Sequence, residues 1–240
     1  MTSEGGTASY DDWHSTLDVD SSADSPWYDL VRRQLVAERD LAGRRVLEIG
    51  CGRGGFSCWL ATRPTPPREV VAVDYSSVAV EKGRAYAQHK GISGITWQTG
   101  DIQAIDQADG SCDTVISCET IEHVPDPFKA VQELSRILKP GGRLFLTTPN
   151  YFGVYGLYRA YMRLTGRRFT EVGQPINQLT MLPRTLYWLH RAGLRADVIS
   201  GEGHYLLFPG RTPRRLRFLD HEFLKWIALH VVVVAEKPAA

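Results

Sequence analysis

Cysteine is scarce in this 240-residue chain, and long apolar runs are absent from it. The four cysteines contain no C-x-x-C pair and lie in or beside apolar stretches, so we expect reduced thiols in a cytoplasmic protein. The longest apolar run, residues 226–235, contains His230 and has about half the length of a membrane-spanning helix. Residues 1–12 are polar and acidic, without the pattern of a signal peptide. The sequence therefore predicts no transmembrane segment.

Neither sign of charge is in large excess. The formal net charge is +1, and hydrophobic and charged residues make up 43% and 23% of the chain. These proportions exclude a disordered, collagen-like or coiled-coil chain and argue against a general nucleic-acid binder. The charge is nevertheless uneven, because residues 1–43 hold three Arg and nine acids whereas residues 151–240 hold thirteen basic residues and six acids. Chance surface charge and a cap that meets an anionic substrate or surface both fit this asymmetry.

Predicted strands alternate with predicted helices over most of the chain. Residues 1–22, rich in Ser, Asp and Gly, are expected to form a flexible arm, and residues 23–240 a single domain with a cap inserted at about 151–180. The predicted strands are 45–49, 70–73, 94–98, 114–117, 143–148, 194–200 and 229–236. The predicted helices are 26–42, 54–61, 76–89, 127–138 and 183–192. Such alternation is typical of an α/β fold with a doubly wound, mostly parallel seven-stranded sheet and helices on both faces.

A glycine-rich turn follows the first predicted strand. Residues 46–55 read V-L-E-I-G-C-G-R-G-G, so Gly50, Gly52 and Gly54 separate a strand from a helix. Glycines let the backbone turn sharply and let a ligand approach closely. Asp74 ends the next strand, 24 residues after Gly50, where a carboxylate can accept both ribose hydroxyls of an adenosine. Taken alone, this pattern leaves both NAD and S-adenosylmethionine as candidate ligands.

The spacing of the glycines departs from the dinucleotide pattern G-x-G-x-x-G, because Gly54 follows Gly52 by only two positions. The E-x-G-x-G-x-G form instead resembles the first motif of class I S-adenosylmethionine-dependent methyltransferases. Four further stretches match that family in order, namely V-V-A-V-D-Y-S at 70–76, G-D-I at 100–102, C-D-T-V-I-S-C at 112–118 and L-K-P-G-G-R-L at 138–144. The E-T-I-E-H-V-P-D-P stretch at 119–127 resembles the small-molecule branch that includes the ubiquinone-biosynthesis O-methyltransferases. The resemblance covers about residues 25–150 well.

The resemblance implies S-adenosyl-L-methionine as cofactor and a role for each motif residue. The glycine loop would lie under the methionyl and ribose parts, Glu48 would hold the ammonium end, and Asp74 would accept the ribose hydroxyls. The remaining cofactor contacts are expected from Gly50, Cys51, Gly52, Gly54, Tyr75, Asp101, Ile102, Cys118 and Glu119. Tyr75 and the Asp101–Ile102 pair would contact adenine, although Gly-Asp is also a common turn.

His123 is the candidate general base. An alcohol or phenol acceptor usually loses its proton as it attacks, and an unperturbed imidazole has a pKa near neutrality. The residue follows the fourth predicted strand, at the carboxyl edge where open parallel sheets bind ligands. A purely structural hydrogen bond to its own loop is the alternative. Glu122 is a second catalytic candidate, which would otherwise orient His123, and no metal is predicted because the ligand spacing is not diagnostic.

The segment after the fifth strand is aromatic and basic. Tyr151, Tyr155 and Tyr158 are predicted to bind the acceptor as part of a lid. An amphipathic helix packed on the core with a solvated basic face is the alternative. Its basic residues are suited to meet a carboxylate, a phosphate or an anionic membrane surface in peripheral contact, and they are Arg159, Arg163, Arg167 and Arg168. By resemblance, Trp13 and His14 of the arm are expected to fold over the pocket.

The expected function is methyl transfer to a small organic acceptor, at an oxygen atom of a natural product or aromatic metabolite. N- or C-methylation and a catalytically silent S-adenosylmethionine-binding partner protein remain alternatives. A nicotinamide oxidoreductase is disfavoured by the glycine spacing and by Asp101. No nucleic-acid partner is expected, because the core has low charge and no recognition helix is evident. The sequence predicts no oligomeric state.

Overall fold

The computed structural model describes residues 4–20, 22–167, 176, 178–206, 214–220 and 222–239. The strands of its main sheet are β1 (Arg45–Ile49), β2 (Glu69–Asp74), β3 (Ile95–Thr99), β4 (Cys112–Cys118), β5 (Leu138–Pro149), β6 (Arg195–Glu202) and β7 (His230–Glu236). Its α-helices are α1 (Glu4–Ser15), α2 (Pro26–Gln34), α3 (Gly55–Ala61), α4 (Ser77–His89), α5 (Pro127–Ile137), α6 (Val154–Leu164) and α7 (Leu182–Arg191).

The seven strands lie in the order β3-β2-β1-β4-β5-β7-β6. The pairs from β3 to β5 are parallel, and β7 runs antiparallel to both β5 and β6. The predicted doubly wound, mostly parallel sheet is therefore confirmed. The chain winds outwards from β1 in one direction and from β4 in the other. Ligands of open α/β sheets bind at the carboxyl ends of the strands on either side of such a reversal.

Hydrophobic cores cover both faces of the sheet. Leu47 and Leu144 belong to one buried cluster, whereas their neighbours Val46 and Phe145 belong to the other. Successive side chains of a strand point to opposite faces, so a strand buried on both sides needs a continuous apolar run. This requirement explains why short, nearly unbroken apolar runs predict the central strands well.

The predicted helix over 26–42 is divided in the structure. Helix α2 ends at Gln34, Leu35 and Val36 are extended, and a π-helical turn occupies Ala37–Leu41. Both carboxylate oxygens of the buried Asp40 lie 2.7 Å from Nη1 of the equally buried Arg143 on β5. Asp40 also accepts the Val36 amide at 2.8 Å. This buried ion pair ties the turn to the sheet, a tertiary interaction that helical periodicity does not reveal.

Residues Glu4–Ser15 form helix α1 where a loose arm is predicted. The helix packs on α4, and Asp11 accepts hydrogen bonds from the Ser76 hydroxyl at 2.6 Å and the Val78 amide at 3.3 Å. At the other end of the helix, Lys82 Nζ donates to the carbonyl oxygens of His14, Ser15 and Leu17 at 2.7–3.0 Å. A cation near these carbonyls complements the helix dipole. The composition of the segment gives no amphipathic signal, so its helical structure depends on α4.

Among the described residues between β5 and α7, the cap contains one helix, α6. None of the residues of α6 is buried, so the helix is a surface element. The rest of the predicted 151–180 insertion falls largely on residues 168–175 and 177, which lie outside the described residues. Within the described part of the chain, no helix is long and apolar enough to cross a membrane.

Candidate functional site

The glycine loop between β1 and α3 requires its glycines. Gly50, Gly52 and Gly54 have φ angles of 73°, 52° and 73°, in the left-handed region that side chains disfavour. A Cβ at Gly54 would overlap the Trp97 ring, and one at Gly50 would overlap the Thr120 side chain. The loop is therefore fixed by backbone conformation and by close neighbours at the same edge of the sheet.

Asp74 holds this loop from the end of β2. Its Oδ2 accepts the Gly52 amide at 2.7 Å, and its Oδ1 accepts the Ser76 amide at 2.9 Å. The side chain is buried, and burial raises the carboxyl pKa although both amides favour the charged form. A carboxylate oxygen has two lone-pair positions, so each oxygen can accept one more hydrogen bond, as ribose hydroxyls require. The predicted cofactor residues Gly52 and Asp74 are thus in direct contact.

Glu48 lies beneath the loop and is fully buried. The Ser57 hydroxyl donates to its Oε2, whereas its Oε1 has no hydrogen-bond partner among the described residues. Burial raises the pKa of the carboxyl to about 8. A buried carboxyl group with one unpartnered oxygen suits a cationic group, because a cation would satisfy that oxygen and favour ionisation.

Asp101 and Ile102 lie beside the end of β2, and the Tyr75 ring packs edge-on against Tyr10 of α1, with centroids 6.1 Å apart. The Gly100 amide donates to the Asp74 carbonyl oxygen at 2.9 Å, which places the 100–102 turn beside the end of β2. Asp101 Oδ1 accepts the Gln103 amide at 2.8 Å, so this side chain stabilises its own turn as well as bordering the site. The Ile102 side chain belongs to the hydrophobic core.

Glu119, at the end of β4, has a φ of 46°, an uncommon conformation for a non-glycine residue. Its Oε2 lies 3.7 Å from Nδ1 of His230, which begins β7 opposite Pro149 of β5. His230 is therefore at the carboxyl edge, and the sequence analysis gave it no role in the site. In the sequence, His230 is distinguished only as the single polar residue of the apolar run 226–235. It reaches the site because β7 is antiparallel, so that the start of this strand lies at the carboxyl edge of the parallel strands.

The two predicted catalytic residues lie together. His123 Nδ1 is 2.6 Å from the Ile176 carbonyl oxygen, and His123 Nε2 is 3.6 Å from Oε1 of Glu122. A carbonyl oxygen only accepts, so Nδ1 carries the proton and Nε2 holds a lone pair in the neutral ring. Burial lowers the pKa of His123, which keeps the ring neutral near pH 7. Glu122 is buried, and its Oε2 accepts from the Thr148 hydroxyl at 3.2 Å.

Helix α1 spans the distance between the cofactor residues and His123. The Tyr10 hydroxyl donates to the His123 carbonyl oxygen at 3.0 Å, a contact the sequence analysis missed. His14 Nε2 lies 3.9 Å from Asp74 Oδ1. Burial and the nearby Arg53 lower the pKa of His14 to about 4, so the ring is neutral at pH 7 and this contact is not an ion pair. The expectation that His14 folds over the site agrees with these contacts.

The three tyrosines predicted to bind the acceptor lie in the cap. Tyr151 is buried beneath the guanidinium of Arg159, and the Tyr155 ring packs edge-on to Tyr158 and to Tyr205, with centroids 6.4 Å and 5.4 Å apart. In these contacts Tyr151 meets Arg159 and Tyr155 meets two other tyrosines. None of the three contacts joins a tyrosine to His123. Acceptor binding by these residues stays a prediction.

A cleft of about 190 Å³ lies directly after the His123 loop, between the start of α5 and α7. Its lining includes Phe128, Gln178 and Trp188. The Gln178 amide donates to the Glu122 carbonyl oxygen at 2.7 Å, so the wall of this cleft is continuous with the catalytic candidates.

Comparison with known proteins identifies relatives of both the sequence and the fold. Residues 47–146 match the family model described as a methyltransferase domain. The chain is 31% identical over 189 residues to a ubiquinone biosynthesis O-methyltransferase of Xanthomonas euvesicatoria, covering 78% of this chain and 76% of that protein. A S-adenosylmethionine-dependent methyltransferase structure from Aquifex aeolicus has a TM-score of 0.63 and 16% identity, covering 93% and 96% of the two chains. A putative methyltransferase structure from Bacillus halodurans has a TM-score of 0.66 and 18% identity, covering 90% and 100%.

Proposed function

Because this chain belongs to the class I S-adenosylmethionine-dependent methyltransferases, we propose that it methylates an oxygen atom of a small organic acceptor, with His123 as the general base. The protein is a methyltransferase with S-adenosylmethionine as its cofactor. What we propose beyond this is that the methylated atom is an oxygen and that His123 takes its proton. The observation that carries it is the neutral His123 ring, whose Nε2 lone pair lies at the carboxyl edge of the sheet.

The residues at this edge fit the cofactor. The unpartnered Oε1 of Glu48 suits the methionyl ammonium group, and the remaining lone pairs of Asp74 suit the ribose hydroxyls. The glycine loop allows the close backbone approach that such a ligand needs. When bound, S-adenosylmethionine supplies an electrophilic methyl group on a sulfonium sulfur.

An oxygen acceptor gives His123 a defined task. A hydroxyl or phenol becomes a competent nucleophile when a base takes its proton, which contributes roughly 10²- to 10⁴-fold in rate. The Ile176 carbonyl fixes the Nδ1–H tautomer, so Nε2 is the atom that receives the proton. Glu122, 3.6 Å from Nε2, stabilises the imidazolium that results. The name of the Xanthomonas relative, an O-methyltransferase, supports oxygen as the acceptor atom.

The test combines binding with acceptor screening. Calorimetric titrations with S-adenosylmethionine, S-adenosylhomocysteine and NAD are expected to show binding of the first two only. Release of S-adenosylhomocysteine is then measured with phenols, hydroxy acids and amines. Turnover with phenols or hydroxy acids supports the proposal, whereas turnover with amines alone contradicts oxygen as the acceptor atom. Tight cofactor binding without turnover on any acceptor class contradicts it in favour of a silent partner protein.

A further inference from the structure

The hydroxyl of Tyr10, on helix α1, joins two segments of the chain at the catalytic edge. It donates to the His123 carbonyl oxygen at 3.0 Å. Burial raises the pKa of Tyr10 to about 12, and a hydrogen bond with the Ile176 backbone opposes that rise. The phenol is therefore protonated at pH 7. A hydroxyl has one proton to donate and two lone pairs, so it can donate to His123 and accept from the Ile176 amide at the same time.

The same two segments make the hydrogen bond that fixes the tautomer of His123. Its Nδ1 lies 2.6 Å from the Ile176 carbonyl oxygen, and the two residues are 53 positions apart in the chain. No local chain geometry sets the separation of two segments so distant in sequence. A side chain that hydrogen-bonds both backbones does set it. The Tyr10 hydroxyl thus holds Ile176 at the distance that the bond to Nδ1 requires.

Helix α1 gives Tyr10 a fixed position of its own. The next residue, Asp11, accepts the Ser76 hydroxyl at 2.6 Å, which anchors the helix at the start of α4. Lys82 of α4 donates to carbonyl oxygens at the end of α1. The Tyr10 ring packs edge-on against Tyr75, the residue after β2. The place of the Tyr10 hydroxyl is therefore set by α4 and the end of β2, independently of the loop that carries His123.

We propose that Tyr10 is a positioning residue for His123, which keeps the Nε2 lone pair aimed at the acceptor by bridging the two backbones that hold the ring. This inference rests on the proposed role of His123 as the base. The rate of proton transfer depends strongly on the geometry of the base, so a small displacement of the ring is costly. Tyr10 takes no proton from the acceptor, because its own proton is donated to the His123 carbonyl oxygen. Helix α1 therefore completes the base as well as covering Asp74 through His14.

Nuclear magnetic resonance of the full chain with bound S-adenosylhomocysteine tests the positioning without any acceptor. Long-range correlations between ring nitrogens and ring protons distinguish the two histidine tautomers, and His123→Asn identifies the signals of His123 by their loss. The parent should show the Nδ1–H tautomer alone. Tyr10→Phe, which removes only the hydroxyl, should show both tautomers because the Ile176 carbonyl oxygen is no longer held against Nδ1. An unchanged tautomer in Tyr10→Phe overturns the proposal.

Kinetics provide the second measurement, with the phenol that turns over fastest in the acceptor screen. Tyr10→Phe should lower kcat about tenfold, as expected for the loss of one hydrogen bond that orients the base. The KM of the acceptor and the Kd of S-adenosylmethionine should change by less than about twofold, because the ring contact with Tyr75 is kept. Tyr86→Phe is the matched control. It makes the same change near the end of α4, where the ring lies 6.0 Å from Lys90 Nζ, and should keep the parental kcat.

The double variant separates positioning of the base from a general structural effect. If Tyr10 acts through His123, Tyr10→Phe should cause no further loss of kcat in the His123→Ala background. Equal losses in the two backgrounds overturn the proposal. Parental kcat in Tyr10→Phe together with a loss in His123→Ala excludes Tyr10 and leaves the base assignment intact. Parental kcat in His123→Ala refutes the base assignment, and the inference on Tyr10 falls with it.

Discussion

The carboxylate of Asp74 accepts the backbone amide of Gly52 at 2.7 Å, so the end of β2 directly supports the glycine loop that follows β1. The same side chain accepts the Ser76 amide just before α4. One carboxylate therefore connects two loops at the carboxyl edge. Its substitution is expected to affect cofactor binding twice, through the loop and through the ribose contact that we propose.

Asp74→Ala should weaken S-adenosylmethionine binding by more than tenfold and lower the free energy of unfolding by about 1–3 kcal/mol, because the buried Ser76 amide and the half-buried Gly52 amide lose their acceptor. Calorimetric titration and urea unfolding measure the two effects. Asp74→Asn is the matched control, since it keeps the size and one acceptor oxygen and should be impaired less in both. Unchanged affinity in Asp74→Ala would refute the cofactor role of this residue.

His123→Ala should lower kcat by roughly 10²- to 10⁴-fold while leaving the Kd for S-adenosylmethionine unchanged. The reason is that His123 is proposed to act on the acceptor proton and not on the cofactor. Activity of the parent should fall as the pH drops below the ordinary histidine range, because burial lowers the pKa of His123 and only the neutral ring accepts a proton.

His123→Asn separates the catalytic role from a structural one. An asparagine amide can still donate to the Ile176 carbonyl oxygen but is not a base. If His123 is the base, His123→Asn should be as inactive as His123→Ala. Recovery of activity in His123→Asn would show that the residue only holds its loop.

Glu48 should make cofactor affinity depend on pH. Because the pKa of its carboxyl is about 8 and the bound ammonium would favour the ionised form, binding below pH 8 requires loss of a proton. Affinity should therefore rise by up to tenfold per pH unit between about pH 6 and 8 and level off above that. Titrations in two buffers of different ionisation enthalpy would detect the released proton, and Glu48→Gln should abolish both the release and the slope.

The same raised pKa affects folding in the absence of ligand. The folded protein holds the Glu48 proton more tightly than the unfolded chain, whose carboxyl has an ordinary pKa of 4.5. The stabilising contribution is complete below pH 4.5 and is lost as the pH rises towards 8. Comparing urea unfolding of the parent and Glu48→Gln across this range measures it, and parallel curves would contradict the raised pKa.

Gly54→Ala should lower the free energy of unfolding by about 2–5 kcal/mol, because the left-handed backbone at this position disfavours a Cβ and the new methyl group also overlaps the Trp97 ring. Gly91→Ala is the matched control. Gly91 has a similar φ of 65° but no atom near the position of a Cβ, so its cost should stay near 1–2 kcal/mol. Equal costs in urea unfolding would mean that the Trp97 contact is unimportant.

Local sequence signals were sufficient for the central sheet. The apolar run 45–49 predicts β1 with its observed bounds, and the Pro127 start of α5 is also as predicted. The glycine loop was recognisable because its conformation admits little besides glycine. Each of these features depends on neighbours within a few residues of the chain.

Contacts between distant segments were not predictable in the same way. Helix α1 depends on Lys82 and Asp11, and the division of the 26–42 helix depends on the Asp40–Arg143 ion pair. His230 reaches Glu119 only because β7 runs antiparallel to β5. The sequence by itself determined the alternation of strands and helices, the fold class, the cofactor and the position of His123 after β4. Only the tertiary structure decided what covers the site and which way the cap faces. Both depend on packing and ion pairs between segments that are distant in the sequence, and the local hydrophobic periodicity contains no information about such contacts.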